Sequence, residues 1–231
     1  MRFFLNVTGK RKKLCHSDFS FDGYDFVCKS LTEGRGVILY FKNCLYVQKV
    51  EILDNILFNE SIWIRLHLKD NDSLLVGNIY RSPSSIPENN VLLNKLIVEA
   101  VNLKDTHILI TGDFNYGTFN WESQQSSDSY MYDHCTSIFT ECIKDTFLFQ
   151  HVKESTRHRG DQTPSRLDLI FTNEEEMVTD LEYLPPLGAI DHSCLCFKHL
   201  CYSNRKLQAK PRHNYRKEDF SAMRSDLSDV N

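Results

Sequence analysis

The sequence predicts an α/β sandwich, folded as one domain with or without a tail. Strand-like runs dominate the first third of the chain, and two stretches with apolar residues at helical spacing alternate with further short strands. Neighbouring strands joined by a short turn make the sheets mixed, because purely parallel strands need a crossover at every connection. A length of 231 residues and a hydrophobic content of 41% suit an ordinary globular domain.

The first strands are predicted from short apolar runs and from alternation. Residues 36–41 (GVILYF) form a short apolar run after a glycine turn. Residues 61–69 alternate, which predicts a half-buried strand with four aliphatic side chains on one face: Ile62, Ile64, Leu66 and Leu68. Residues 74–80 follow across a turn at 70–72, so these two strands should pair as an antiparallel hairpin.

Two helices and the later strands complete the prediction. Ser85 and Glu88 have the spacing of a capping box, which predicts a helix with Ser85 as its N-cap, continuing at helical spacing to Leu103. A second helix is predicted over 128–144 and a weak one over 217–227. The remaining strands are predicted from short apolar runs at 107–111, 147–152, 167–171 and 194–198.

Charge and cysteine content narrow the class of protein. The net charge of −4 hides basic ends, since residues 1–14 carry five Lys or Arg and residues 201–217 carry six, with no acid in either segment. Basic ends suit phosphate backbones, although solvated termini fit equally well. No apolar run approaches the roughly 20 residues of a membrane helix, and the start is a poor secretory signal. The eight cysteines then indicate reduced thiols in an intracellular protein, nuclear or cytoplasmic.

Polar residues cluster where the predicted strands end. Asp113 and Asn115 follow the 107–111 strand, and in an extended segment both side chains leave the same face, where they suit a hard cation or a water. A plain turn explains Gly-Asp-Phe-Asn at least as well. Asp168 opens another strand and needs a partner there, because an unpaired buried carboxylate is costly.

Two further strand ends carry polar side chains of the types that catalytic sites use. Asp191 and His192 precede the last strand and offer a metal ligand and a general acid or base, although a core histidine fits as well. Tyr80 and Arg81 end the second hairpin strand, where a simple proline turn is the alternative. Taken together, acids, an amide, an imidazole, a tyrosine and an arginine are the groups needed for metal-assisted attack on a phosphodiester.

The order of five motifs resembles the endonuclease/exonuclease/phosphatase superfamily, and more narrowly the endonuclease domain that precedes the reverse transcriptase in non-LTR retrotransposons. These motifs are NIYRSP (78–83), ITGDFN (110–115), NW (120–121), SRLDLIFTN (165–173) and DH (191–192). The resemblance implies a DNase I-like four-layer sandwich of two mixed sheets flanked by helices. It places the domain at 21–200, between a basic segment at 1–20 and a basic, linker-like tail at 201–231.

The resemblance also implies an activity and its partners. The family hydrolyses a phosphodiester with Mg²⁺, with Mn²⁺ as an alternative, and the retrotransposon branch nicks target DNA. The expected partners are DNA and, in a full-length element, a reverse transcriptase domain, with no membrane and no small-molecule cofactor. The resemblance implies catalytic roles for Tyr80, Asp113, Asn115, Asp168 and His192, metal contacts for Asp113, Asn115 and Asp191, and nucleic-acid contacts for Arg81, Asn120, Trp121 and Arg166.

The sequence departs from the family pattern near its start. The family opens with a strand carrying an asparagine and a strand carrying a metal-binding glutamate, and residues 1–20 contain no glutamate and only Asn6. We therefore expect that the front strands are missing, that metal binding is weakened and that a sheet edge is uncovered. Ile190 also replaces the usual serine before Asp-His, and no polymerase follows.

Several alternatives stay open from the sequence. The chain is a DNA-nicking endonuclease domain, a catalytically impaired fragment that only binds nucleic acid, or a phosphatase of the same superfamily. A zinc site is a fourth possibility for four residues near the end of the domain: Cys194, Cys196, His199 and Cys201. The run at residues 10–13 (KRKK) fits a nuclear signal, a nucleic-acid contact or a solvated terminus.

Overall fold

A computed structural model of the chain describes residues 4–5, 20–30, 36–51, 55–117, 134–188 and 190–201. The basic ends and the predicted helix over 217–227 lie outside these residues. The described elements follow in chain order: β1 (Phe4–Leu5), β2 (Tyr24–Ser30), β3 (Gly36–Lys42), β4 (Val47–Lys49), β5 (Ser61–His67), β6 (Ser73–Tyr80), α1 (Pro87–Asn102), β7 (His107–Asp113), α2 (His134–Asp145), β8 (Phe149–Gln150), β9 (Asp168–Thr172), β10 (Val178–Leu184) and β11 (Cys194–His199).

A six-stranded mixed sheet, in the order β4-β5-β6-β7-β9-β8, forms the centre of the fold. Strands β5 and β6 pair antiparallel, as the hairpin prediction required. Strands β6 and β7 pair parallel, with α1 in the connection between them, and β9 returns antiparallel to β7. The predicted α/β sandwich with mixed sheets is therefore confirmed.

The two faces of the central sheet carry different layers. One face packs on α1 and α2, with Leu96 and Phe139 against Trp63 and Ile110. The other face packs on a three-stranded sheet, β1-β3-β2, and on the β10-β11 hairpin. Alternation along each strand separates the two cores, because successive side chains point to opposite faces. Strand β5 is therefore covered on both sides, which corrects the prediction of a half-buried strand.

The edges of the smaller sheets are only partly paired by described strands. The outer edge of β3 pairs with β1 at Leu39 and Tyr40, while its other edge pairs along its whole length with β2. Strand β11 pairs with β10 and with no other described strand.

The sequence prediction misplaced the start of α1 and missed four strands, β1, β2, β4 and β10. The N-cap of α1 is Ile86, because Pro87 occupies the first turn and keeps the residue before it extended. The Ser85 side chain instead accepts a hydrogen bond from Asn89 Nδ2 at 2.8 Å. Strands β2, β4 and β10 were not predicted, because each interleaves polar residues and leaves part of its length exposed. Helix α2 is described from His134 onward, and residues 128–133 of its predicted range lie outside the description.

His199, at the end of β11, makes the stability of the fold sensitive to acid. It is only 4% exposed, and neither ring nitrogen has a hydrogen-bond partner among the described residues. Burial, and then the nearby His107 and His151, lower the pKa of His199 from 6.5 to about 4. The folded chain thus keeps this ring neutral while the unfolded chain protonates it, so the stability present above pH 6.5 is lost as the pH falls toward 4.

Between pH 7 and pH 4, we expect the free energy of unfolding of His199→Leu to fall by about 2 kcal/mol less than that of the original chain, because leucine takes up no proton. Urea unfolding at several pH values measures the free energy of unfolding of both chains. His67→Leu is the control, since His67 is half-buried at the end of β5 and its ring lies tilted against that of Tyr46. An acid dependence of His199→Leu equal to that of the original chain contradicts the prediction.

Candidate active site

Sheet register brings three of the predicted site residues into one row. Tyr80 ends β6 opposite Asp113, which ends β7, and Asp113 lies opposite Asp168, which opens β9. Residues paired across a sheet point to the same face, and alternation places this row on the face covered by the smaller sheets. Asp113 and Asp168, far apart in sequence, therefore meet at one end of the central sheet.

His192 joins the row from the loop between β10 and β11. Its Nδ1 lies 2.8 Å from Asp168 Oδ2, and its Nε2 lies 4.0 Å from Asp191 Oδ1. A carboxylate acceptor at Nδ1 favours the ring form that carries its proton on that nitrogen. Asp168 thus orients the imidazole, and Nε2 lies on the side of the ring that faces away from Asp168.

A segment at 155–158 holds the His192 loop against the start of β9. The Thr156 side chain is fully buried, and its hydroxyl oxygen accepts hydrogen bonds from the backbone N–H groups of Leu167 and Asp168 at 3.1 and 3.0 Å. Its carbonyl accepts one from the N–H of Ser193 at 2.7 Å. Sequence reasoning assigned no role to Thr156, because a lone threonine carries no signal of what it will contact.

Asp113 carries a buried carboxyl group whose surroundings raise its pKa. It is 7% exposed, and its Oδ1 has no hydrogen-bond partner among the described residues. Burial and then the charge of Asp168 raise its pKa to about 7, while His192 and hydrogen bonding by Asn115 act in the opposite direction. This environment disfavours the bare carboxylate and would be relieved by a cation.

The pKa of His192 is raised above its usual value. Burial alone lowers it, but the hydrogen bond to Asp168 and the charges of Asp168, Asp113 and Asp191 outweigh burial. The imidazole therefore holds its proton more tightly than a free histidine. A positively charged ring beside two carboxylates is suited to stabilising negative charge that develops on a substrate.

Asp191 forms an ion pair beside the group of Asp113, Asp168 and His192. Its carboxylate accepts a hydrogen bond from Arg157 Nε at 3.0 Å, and Arg159 Nε lies 3.9 Å away. Slight burial raises the pKa of Asp191, but the hydrogen bond and charge of Arg157 bring it below the usual value. Asp191 is thus paired with Arg157, and Asp168 is the carboxylate that lies opposite Asp113.

The remaining predicted residues have varied surroundings. Asn115 lies directly after β7, with φ of 52°, and its Nδ2 donates to the carbonyl of Arg81 at 2.8 Å. Arg81 is buried beneath the site, and its donors face the protein interior. Arg166 is half-buried directly before β9. Asn120 and Trp121 lie outside the described residues.

One group of side chains among the described residues has the geometry of a metal site. Asp113, Asp168 and His192 each offer one ligand atom, and these three atoms lie within 4.8 Å of one another. The unpartnered Oδ1 of Asp113 and the second carboxylate fit a divalent cation that prefers oxygen ligands. The cysteines proposed for zinc form no such group in the described chain, where Cys196 is exposed and all seven described cysteines are free.

The central sheet, covered by helices on one face and by two smaller sheets on the other, brings two aspartates and a histidine together at one end, an arrangement expected of the endonuclease/exonuclease/phosphatase class of hydrolases. The model of the endonuclease-reverse transcriptase family matches residues 74–196, a range that contains β6, β7, β9 and the Asp191-His192 loop. The chain belongs to this family, which supports phosphodiester hydrolysis as its general chemistry. The resemblance noted in the motifs is confirmed at this level.

Solved structures share the fold at low sequence identity. The endonuclease domain of TRAS1, a telomere-specific non-LTR retrotransposon, has a TM-score of 0.60 and 16% identity over 81% of this chain and 82% of that chain. An AP endonuclease from Archaeoglobus fulgidus has a TM-score of 0.58 and 15% identity over 85% and 87%. The catalytic domain of APE2 from Xenopus laevis has a TM-score of 0.54 and 13% identity over 80% and 79%.

Two negative results complete the comparison. No curated protein sequence matches the chain. Within the described residues, neither helix combines the length and the apolar character that crossing a membrane requires.

Proposed function

We propose that the chain is a DNA-nicking endonuclease domain of the non-LTR retrotransposon type, acting with Mg²⁺ or Mn²⁺. The observation that carries the proposal is the convergence of Asp113, Asp168 and His192 at one end of the central sheet, in a member of the endonuclease-reverse transcriptase family. In this proposal residues 21–200 carry the activity. The basic segments at 1–20 and 201–231 add contacts to the phosphate backbone.

Asp113 and Asn115 act on the attacking water. The Asp113 carboxylate accepts a proton from that water, and Asn115 orients it from the adjacent turn. Without a cation, burial and then Asp168 raise the pKa of Asp113 to about 7, and a bound cation would lower it and keep the group ionised, as proton acceptance requires. Tyr80, in the same row of the sheet, contributes its hydroxyl to the scissile phosphate.

His192 and Asp168 act on the developing charge. Nε2 of His192 donates a hydrogen bond to a non-bridging oxygen as the phosphorus becomes five-coordinate, while Asp168 holds Nδ1 at 2.8 Å. Asp113 and Asp168 would hold a divalent cation, which supplies charge neutralisation at the phosphate when it is bound. Arg166, Asn120 and Trp121 are proposed to face the DNA.

Nicking of supercoiled plasmid tests the proposal. We expect relaxed circles to form in the presence of Mg²⁺, and both a chelator and Asp113→Ala to reduce the rate to background. A soluble phosphoester, measured in parallel, separates a nuclease from a phosphatase, because only the nuclease prefers the plasmid. If the original chain nicks no faster than Asp113→Ala, the proposed activity is wrong.

Binding of nucleic acid without cleavage is the second candidate. It is supported by the ion pair between Asp191 and Arg157. Among the described residues, this leaves two carboxylates, Asp113 and Asp168, in the group that they form with His192. Mg²⁺ is commonly held by one or two carboxylates, and one of these two, Asp168, is already hydrogen-bonded to His192. A salt-sensitive gel shift without nicking supports this candidate, and absence of binding at low salt contradicts it.

A further inference from the structure

Arg81 has surroundings that do not fit a DNA contact. It follows Tyr80 at the end of β6 and is only 4% exposed. Its Nε donates to Asn90 Oδ1 on α1 at 2.6 Å, and Nη1 donates to the carbonyls of Phe114 and Asn115 at 3.3 and 3.1 Å. Nη1 thus points at the turn that follows Asp113, and Nε points at α1.

The same turn contacts Arg81 in three further ways. The guanidinium carbon lies 4.1 Å from the centre of the Tyr116 ring, an arrangement that attracts a cation. The backbone N–H of Arg81 donates to the carbonyl of Asp113 at 2.8 Å, and the Asn115 amide donates back to the carbonyl of Arg81 at 2.8 Å. One residue therefore contacts four consecutive positions, Asp113 to Tyr116.

The turn needs such support because of its backbone conformation. Asn115 has φ of 52°, in the left-handed region that asparagine tolerates but does not favour over extended conformations. The backbone carbonyls of Phe114 and Asn115 accept these hydrogen bonds from the guanidinium, so a side chain without this group would leave them without this partner. Asn90, itself 3% exposed, fixes the guanidinium from the helix side.

We propose that Arg81 is a positioning residue, which holds the turn after β7 so that Asp113 and Asn115 keep their reactive geometry, and that it makes no contact with nucleic acid. The inference rests on the proposed function, because the geometry it maintains is that of the proposed water-activating pair. A lysine or glutamine at position 81 cannot reach Asn90 and both carbonyls at once, since the planar fork of arginine is needed.

Kinetics combined with salt dependence test the inference. For Arg81→Lys and Arg81→Gln we expect kcat for plasmid nicking to fall about 100-fold, because a displacement of about 1 Å costs this much. KM and the slope of log Kd against log salt should stay unchanged. A phosphate contact would instead lower that slope by about one unit for Arg81→Gln and leave Arg81→Lys close to normal. Such a pattern overturns the inference.

Arg65→Gln is the matched control for stability. Arg65 is a partly buried arginine that makes two hydrogen bonds to Asp105, at 2.6 and 2.7 Å, away from the site. Its loss should lower the free energy of unfolding while leaving kcat of the folded protein unchanged. If Arg65→Gln lowers kcat as much as Arg81→Gln does, the effect at Arg81 is one of general stability and the inference is wrong.

A double mutant and an exchange measurement separate this inference from the proposed function. If Arg81 acts through the turn, Arg81→Gln should cost little further kcat in an Asn115→Ala background, and additive losses contradict it. If the original chain does not nick DNA, the proposed function fails, and amide hydrogen exchange still decides the positioning role. Faster exchange at residues 114–116 in Arg81→Gln, but not in Arg65→Gln, supports it, and unchanged exchange overturns it.

Discussion

Replacing His192 by alanine is expected to lower the nicking rate about 1,000-fold at saturating DNA, while the affinity for DNA changes little. The imidazole is held by Asp168 at 2.8 Å. Although burial lowers its pKa, this hydrogen bond and the nearby carboxylates outweigh burial and raise the pKa, which favours the protonated ring that the proposal places at the phosphate. An interaction made mainly in the transition state affects kcat and not KM. Single-turnover nicking with gel-shift affinities measures the two quantities separately.

Asp168→Asn tests the orienting role in the same assay. An asparagine amide can donate to Nδ1 and so favour the wrong form of the ring, and we expect a loss of about 100-fold or more. His67→Ala is the control, because His67 and Ser73 pair at the turn end of the β5–β6 hairpin, whereas Tyr80 and the site lie at its open end. A rate for His192→Ala within a few-fold of the control would show that His192 takes no part in the reaction.

Gly112→Ala is expected to lower the free energy of unfolding by about 3 kcal/mol or more, the upper range for overpacking combined with backbone strain. Gly112 has φ of 147°, and an added Cβ would lie 1.8 Å from the Ile79 carbonyl oxygen. That oxygen belongs to the backbone near the end of β6, where Ile79 pairs with Ser61 of β5 and with Gly112 itself, so it cannot move aside without disturbing the sheet. The substituted position directly precedes Asp113 in the chain.

Gly117→Ala provides the comparison for this effect. A Cβ there would meet the end of the Leu167 side chain at 3.3 Å, a contact that a small rotation relieves. We expect a loss below about 1 kcal/mol at this position. Urea unfolding of both variants measures the difference, and equal losses contradict the prediction. Where Gly112→Ala does not fold at all, its absence from the soluble fraction beside normal yields of Gly117→Ala counts as the expected result.

The positions of the chemistry-bearing residues at strand ends were predictable, because alternation and short apolar runs locate strands directly. The strands containing Asp113 and Asp168 were found this way, and their ends lie within two residues of the prediction. Gly-Asp at 112–113 favoured a turn when considered alone. The structure places both residues in β7, since the glycine conformation there is imposed by close approach to β6 and not by a turn.

Side-chain partners were not predictable to the same extent. Arg81 and Asp191 have the residue types of a phosphate contact and a metal ligand, and the sequence assigned them accordingly. In the fold Arg81 is buried against the 114–116 turn, and Asp191 is paired with Arg157. Both partners are distant in sequence, so no local pattern distinguishes these roles from those that the motifs imply.

The sequence by itself determined the α/β class, the mixed sheet and the residues of the family motifs, because each follows from periodicity or from motif order along the chain. Only the tertiary structure decided which of these residues meet. The register of β7 against β9 places Asp113 opposite Asp168, and the segment at 155–158 brings His192 to them. Register and loop packing depend on contacts between distant segments, which a single sequence does not encode locally.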